Sequence, residues 1–559
     1  MKTDFDAIVV GSGITGGWAA KELTEKGLKV LMVERGRTIE HGSDYVTETL
    51  APWELPFRGH GDPELYAKDF AIQSKNRHFT EFTQNHFVND RENPYSVAEG
   101  KEFNWWRSYQ LGGRSLTWGR QSYRMSDHDF GANKKDGFGV DWPIRYGDLK
   151  PWYDHVERFI GVSGQTEGLS SLPDGIYLPP MALNVLEKHT KSVIESQWPD
   201  RRLTIGRTAN LTVEKDGRGP CQYRSICQRG CSYGAYFSTQ SSTLPAAQAT
   251  GNLTLLTDTV VEQVDYDVKK KRATGVSVLN VKTGVRSRYT ARIIFMNAGA
   301  FNTNHVLLRS AAAANGLGNS SGRLGTHIMD HATTLGGVAL FDRFQDRTTY
   351  GNRPTGVVIP RFRNLGDQAE GDFVRGYSFQ GGALRSGWSR GKREAGIGAD
   401  YKDNLRGPGG WRMVLVSFAE SLPRETNRLT LDTVKTDPFG APLLQIDFTH
   451  GENERRALAD ASKEASAMLT AAGGKVIMSF DRPGIGGSAI HEMGGAMMGR
   501  DPRTSVTNRF NQLHDVPNVF VTDGAAMASS ACQNPSLTYM ALTARACDAA
   551  VGMLKEGKI

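Results

Sequence analysis

Two groups of residues in this chain have types and spacings suited to chemistry. Gly11, Gly13 and Gly16 form a G-x-G-x-x-G run directly after the apolar stretch Asp6–Val10, and Glu34 closes a second apolar stretch 18 residues past Gly16. In such a run the first glycine makes a tight turn and the second admits a pyrophosphate to backbone N–H groups. The third lets a helix pack closely on its strand. The N-terminus of that helix favours phosphate charge, so Ile14 and Thr15 count with the glycines as cofactor-binding positions. A carboxylate at Glu34, with Arg35 beside it, is placed to accept hydrogen bonds from a ribose diol. The pattern marks a dinucleotide site; FAD and NAD both use it, and the fingerprint alone does not choose. The second group is Cys221, Cys227 and Cys231, spaced C-x5-C-x3-C. Three thiolates on one short loop can converge on a metal centre. Zinc with a fourth ligand from elsewhere, or unligated thiols or a disulfide, are the other readings. Cys532 and Cys547 stand apart and read as small buried hydrophobes.

The elements that must position these groups follow from the apolar pattern. Asp6–Val10 reads as a buried parallel strand, then a helix runs from about Trp18 to Lys26 with Gly27 as its C-cap, then a strand from Lys29 to Val33. Residues from about 40 to 240 look irregular. Strand character returns at Leu253–Leu256, Val260–Tyr266, Gly275–Val281 and Arg292–Asn297. From about 332 to 450 many short strands, such as Trp411–Phe418, Asn427–Asp432 and Pro442–Phe448, suggest an antiparallel sheet. A long helix over Asn453–Ala472, a strand over Asn518–Asp523 and a helix over Pro535–Lys555 complete the chain. Strands 6–10, 29–33, 292–297 and 518–522 are expected to form one sheet. The fold class is therefore α/β (α+β overall). A discontinuous cofactor domain is expected over 1–331 and 482–559, with a cysteine-rich insertion at about 210–240, around a substrate-binding domain at 332–481.

Composition narrows the class further. The chain has 559 residues, 39% hydrophobic and 23% charged, as in ordinary globular proteins. Glycine is in excess at 63 of 559, about 11%, against roughly 7% in average usage. Five cysteines exclude a disulfide-stapled scaffold. No run approaches 18 apolar residues, so no transmembrane segment is expected, and the early strand leaves no room for a signal peptide. The net charge of +7 is modest, and Lys269-Lys270-Lys271-Arg272 reads as a solvated hairpin turn. No basic stripe with interleaved aromatics points to nucleic acid; weak attraction to an acidic partner or anionic membrane surface stays open.

Three matches over the full length make the sequence resemble the glucose–methanol–choline (GMC) oxidoreductases. They are the N-terminal fingerprint with Glu34; Leu111-Gly112-Gly113-Arg114-Ser115-Leu116-Thr117-Trp118-Gly119; and His491-Glu-Met-Gly494-Gly495 followed by Val519–Gly524 and Asn534-Pro535. The resemblance implies an FAD-binding Rossmann-like domain of the GMC type and a substrate domain on an antiparallel β-sheet. It places Gly112, Gly113 and Ser115 along the flavin and Val261 near the adenine. Ala298 and Gly299 make a second cofactor-facing turn, and Asp523, Gly524, Asn534 and Pro535 a terminal flavin contact. It makes His491 the general base, a role suited to histidine, and Asn534 the group that holds the substrate oxygen. Asn534 also reads as a helix cap before Pro535, and His331 as a structural histidine.

The cysteine spacing resembles the iron–sulfur loop of bacterial FAD-dependent glucose and fructose dehydrogenase catalytic subunits. This implies a [3Fe-4S] cluster on Cys221, Cys227 and Cys231, and a dehydrogenase with an external electron carrier instead of an oxidase. The segment Asp515–Thr538 looks most like bacterial glucoside 3-dehydrogenases, which form 3-ketosugars. Glucose, gluconate and sorbitol dehydrogenase large subunits are the near alternatives, and a non-redox lyase of the same fold is a further one. Trp105, Trp106, Trp118, Tyr109 and Gln380 are candidates for a sugar pocket. The relatives imply a small accessory subunit, a haem c electron acceptor, and a periplasmic or membrane-peripheral location reached by co-export, with cytoplasmic residence as the alternative.

Overall fold

A computed structural model describes residues 3–310, 315–367, 370–387, 390–391 and 394–559. Its first sheet is built around Phe5–Val10, whose last four residues are fully buried. The strand lies between two parallel neighbours, Val30–Val33 and Arg286–Met296, and a strand covered on both faces carries a continuous apolar run. Val519–Val521 pairs in parallel with Ile294–Met296, so the four expected pieces meet in one sheet. Leu253–Leu256 extends it as a further parallel strand outside Val30–Val33.

The long strand Arg286–Met296 changes partner along its length. Its first half pairs with Arg272–Asn280, itself in a hairpin with Thr259–Asp267; its second half pairs with Val519–Val521. Asn518 fills the resulting fork. Its amide accepts from Ala273 N–H at 3.0 Å and donates to the carbonyls of Ala273 and Arg292, each at 2.9 Å. Backbone groups that would be orphaned where the strands part are thereby satisfied. The basic run at 269–271 lies in the exposed hairpin turn.

The second sheet is antiparallel, in the order Lys475–Met478, Ala332–Phe341, Trp411–Ala419, Tyr377–Arg385, Val357–Ile359, Thr204–Ile205. Burial alternates along Trp411–Ala419. One face of this sheet sets Trp411, Met413 and Leu415 in a core with Leu458, Ala465 and Leu469 of the helix Glu452–Ala471; each large side chain so buried contributes about 1.5–3 kcal/mol. Leu186 and Ile194 of the helix Val185–Gln197 join the same core although they precede 332.

Three expectations are corrected. The strands at 427–432 and 442–448 do not belong to this sheet. They pair with each other as Arg428–Thr436 and Pro442–Asp447 in a third, five-stranded sheet with Thr326–Met329, Met493–Gly495 and Ser96–Val97. Local pattern encodes a hairpin but not the edge it meets, which is set by packing of its faces. The region from 40 to 240 is not wholly irregular, since it holds the helices Tyr146–Ile160 and Val185–Gln197. The first helix also begins earlier than expected, at Ile14. It is buried from Thr15 to Thr24, with Lys21 buried and paired to Glu22 at 3.4 Å and Glu25 at 2.7 Å, so burial takes in its polar residues as well as its apolar ones. Among the described residues no helix is long and apolar enough to cross a membrane.

Candidate functional site

The glycine loop opens one wall of a cavity of about 240 Å³. Gly11 has φ +93°, and a Cβ there would lie 2.5 Å from the Asn297 carbonyl. Gly13 is different: a Cβ would meet nothing within 4 Å and would project into open space. The helix Ile14–Glu25 starts here with no acidic residue in its first turn and no side-chain cap. Its free N–H groups and positive dipole end face the cavity that Gly13, Ile14 and Thr15 line, which fits a pyrophosphate. Arg107 lines the cavity too; its Nε and Nη2 have no hydrogen-bond partner, and Nη2 lies 3.6 Å from Asp90. Arg309, also on the wall, keeps an unpartnered Nε. The residues present therefore fit an anionic dinucleotide. Sequence reasoning missed both arginines, because neither lies in a glycine motif.

Glu34 lines the same cavity but also braces the loop. Its carboxylate accepts from Ser12 N–H at 3.0 Å, Ser12 Oγ at 2.6 Å and Gly36 N–H at 2.8 Å. Burial raises its pKa, against those donors. Ser12 Oγ in turn accepts from Gly112 N–H at 2.8 Å, tying the second glycine segment to the first. Of the expected cofactor positions, Arg35, Gly113, Ser115 and Val261 line the cavity, as do Ala298, Gly299, Asp523, Gly524, Asn534 and Pro535. Gly16 and Gly112 are not on its wall; Gly16 has the helix–strand packing role expected of the third glycine. A Cβ at Gly16 would strike the Gly11 carbonyl at 1.9 Å, and one at Gly112 the Gln240 amide at 2.2 Å. Asp523 accepts from Gly299 N–H at 2.9 Å and Thr303 Oγ1 at 2.6 Å, which joins the two late turns. Burial pushes its pKa up to about 6.

At the other end the third sheet sets His331 and His491. Met329 pairs with Met493 in antiparallel register, and carrying that register two residues further puts His331 opposite His491. The rings meet, Nδ1 to Nδ1, at 2.9 Å. Asp330 accepts from the N–H groups of Ala489 at 3.2 Å and His491 at 2.9 Å. It thereby holds a turn in which Ile490 takes φ +59°, a conformation costly for a β-branched residue. Asp330 is buried, and burial first, then the charge of Glu492, lifts its pKa to about 7. His491 Nε2 lies 3.1 Å from Asn534 Nδ2, and Asn534 Oδ1 accepts from Gln380 Nε2 at 2.5 Å. The Asn534 side chain is therefore not a helix cap. Burial drives the His491 pKa well below the usual histidine range, with His331 and Arg114 adding to the effect, so the ring is neutral at neutral pH. Arg114 forms a bidentate pair with Glu492, at 3.1 and 2.6 Å.

The pocket candidates separate. Trp105 and Trp118 line the cavity, and Gln380 touches Asn534. Tyr109 lines it as well, but stacks on Arg35 and bonds Asn302, beside the glycine loops. Trp106 is outside the cavity wall and donates to the Ile72 carbonyl at 3.1 Å; aromatic type alone does not distinguish a platform from a core residue.

Cys221, Cys227 and Cys231 are free and half-buried. Burial raises the thiol pKa of Cys221 and Cys231, and each feels its cysteine neighbours. Among the described residues no three His, Cys, Asp or Glu side chains converge to hold a metal. The loop is anchored by Glu48, which accepts from Ser232 N–H and pairs with Arg224. Its turn Cys227–Arg229 packs on the cavity-lining turn Gly113–Leu116. Tyr236, which feels the charge of Cys227 and Cys231, donates to the Leu116 carbonyl at 2.7 Å.

Comparisons with known proteins agree with this layout. Sequence profiles described as GMC oxidoreductase match residues 5–333 and 423–543. The chain is 28% identical to 2-methyl-1,2-propanediol dehydrogenase of Mycolicibacterium austroafricanum, over 97% of this chain and 94% of that one. It is 25% identical to the fructose dehydrogenase large subunit of Gluconobacter japonicus, over 99% and 98%. Among solved structures, pyridoxine 4-oxidase from Mesorbium loti superposes with a TM-score of 0.59 at 17% identity, covering 97% of this chain and 98% of that one.

Proposed function

Since this chain belongs to the GMC oxidoreductase family, an FAD-type family acting on CH–OH groups, we propose that it is a dehydrogenase for a secondary hydroxyl of a sugar, with the C3 position of glucosides or disaccharides as its target. Bound FAD supplies a two-electron acceptor for the hydride on the carbinol carbon. His491 takes the hydroxyl proton on Nε2 as the carbonyl forms, and its depressed pKa keeps that nitrogen free to do so. Asn534 donates from Nδ2 beside it and has no proton of its own to exchange near neutral pH. Both side chains are half-buried on the cavity wall. The observation that carries the reading is the 3.1 Å contact between these two side chains on the wall of the dinucleotide cavity.

Cys221, Cys227 and Cys231 would hold a [3Fe-4S] cluster, which supplies one-electron transfer. Supporting this, the loop packs on Gly113–Leu116 of the cavity wall, and three free thiols are a donor set suited to iron–sulfur chemistry. The relative called a large subunit works within an assembly; a small accessory subunit and a haem c acceptor are proposed here on the same pattern, with the location periplasmic or peripheral to the membrane. Anaerobic mixing with a panel of glucosides, disaccharides, glucose, gluconate and sorbitol tests the reading. Flavin bleaching with a glucoside and a 3-keto product is expected. A flavin that stays oxidised while product forms would make the protein a lyase, and bleaching confined to gluconate or sorbitol would move the substrate class.

A further inference from the structure

The contacts of His331 determine more than a packing role. Its Nε2 lies 2.8 Å from the Ala531 carbonyl oxygen, which only accepts, so His331 carries its proton on Nε2. Burial holds the His331 pKa down to about 4, so the ring is neutral and its Nδ1 is a bare lone pair. That lone pair faces His491 Nδ1 at 2.9 Å. One of the two nitrogens must donate, and His331 Nδ1 has no proton, so His491 carries its own on Nδ1. Neutral His491 is then bare on Nε2, which accepts from Asn534 Nδ2. Gln380 closes the row by donating to Asn534 Oδ1, which turns the Asn534 amide nitrogen toward His491. Every hydrogen bond from the Ala531 carbonyl to Gln380 runs in one consistent direction.

We propose that His331 is the positioning residue that fixes His491 as its Nδ1–H tautomer, so that the Nε2 lone pair faces Asn534 and the cavity. The proposal rests on the reading of His491 as base. A catalytic imidazole needs a partner on its second nitrogen to set tautomer and ring angle, and that partner is often a carboxylate. Here the nearby carboxylate, Asp330, is used on the backbone N–H groups of Ala489 and His491 instead of the ring. A neutral imidazole in the partner position orients the base without adding the negative charge that would raise its pKa. The Phe418 ring lies 6.0 Å from the His491 ring and 6.3 Å from that of His331, and packs beside both. The other charged groups felt by the pair are Arg114 and His450.

The test compares H331L, H331N and H491Q as flavin-loaded enzymes. Leucine removes the acceptor, whereas the asparagine oxygen can accept from His491 Nδ1–H in place of the ring nitrogen. H331L is expected to lose about 10²-fold in kcat, the lower end for loss of general base catalysis, with flavin content intact and KM little changed. H331N should recover most of that loss. Equal impairment of folded H331L and H331N, or an H331L with wild-type kcat, overturns the proposal. An inactive H491Q beside a fully active H331L removes only the positioning role; an H491Q with wild-type turnover removes the reading of the base itself. ¹⁵N-histidine NMR of the wild-type holoenzyme decides even where a variant does not fold. The His491 signals, identified by their loss in H491Q, should show Nδ1 protonated and Nε2 bare, and the opposite tautomer overturns the proposal.

Discussion

The His491 end of the cavity and the cysteine loop both touch the short turn Gly113–Leu116, the first through Arg114 and Glu492, yet the polypeptide builds them to very different degrees. Around His491 three polar side chains are linked to its ring in a row. His331, Asn534 and Gln380 form a row with contacts of 2.9, 3.1 and 2.5 Å, and Asp330 holds the turn behind it. The protonation state of the base is set by burial before any ligand arrives. The three cysteines are half-buried, and burial favours the protonated thiol in Cys221 and Cys231. On the proposed reading such a site would be completed by its metal, which would displace the thiol protons and draw the ligands together. Proton chemistry demands sub-ångström preorganisation from the protein, whereas a cluster brings much of its own geometry.

The sharpest way to break this comparison is to damage each region separately. His491→Ala is expected to lower kcat by about 10²- to 10⁴-fold, with flavin absorption retained and anaerobic bleaching slowed in proportion. Cys227→Ser should do the reverse. Bleaching by substrate should proceed at the wild-type rate, while turnover with a one-electron acceptor fails and the broad iron–sulfur absorption disappears. Slow bleaching in Cys227→Ser would show that the two regions are not independent.

Gly13→Ala probes the cavity itself. The protein leaves open space where the new methyl would go, so the apoprotein should keep its thermal stability. The cofactor should meet the methyl, at a cost of about 1–3 kcal/mol, or roughly 5- to 150-fold in affinity. A variant that retains wild-type flavin affinity would mean that the pyrophosphate lies elsewhere.

These sites were legible in the sequence to different extents, for physical reasons. Gly11, Gly13 and Glu34 are local, since one strand, one turn and one helix place them, and their spacing carries the signal. The Met329–Met493 register that brings His331 to His491 spans some 160 residues of intervening chain and leaves no trace in either segment, which is why His331 reads as a structural histidine in the sequence. The hairpin Arg428–Asp447 was legible as strands but not as part of the sheet that carries the base. Gly112 carries a requirement the motif does not reveal: a Cβ there would lie 2.2 Å from the side chain of Gln240, a residue far along the chain.

Asp330 yields the smallest signal and tests whether the preorganisation is electrostatic. Its carboxyl is lifted from an ordinary 3.8 to about 7. Between those values the folded chain holds a proton that the unfolded chain has released, so stability is greatest below the window and falls as pH rises through it. The slope approaches about 1.4 kcal/mol per pH unit at most. Glu492 raises the group and the N–H donors of Ala489 and His491 lower it, while Arg114, His331 and Tyr539 are the other titratable neighbours. Histidines such as His331 and His491, whose pKa burial lowers, act in the opposite direction, so the difference is the test: between pH 5 and 7 the thermal midpoint of the wild-type protein should fall relative to that of Asp330→Asn, which cannot titrate. Asparagine keeps one oxygen for a backbone N–H, so His491 should stay near its place and kcat should fall far less than in His491→Ala. An unchanged pH slope in Asp330→Asn would mean that the carboxylate is ionised throughout, and that the turn carrying His491 is held by a charge-assisted bond instead of a protonated acid.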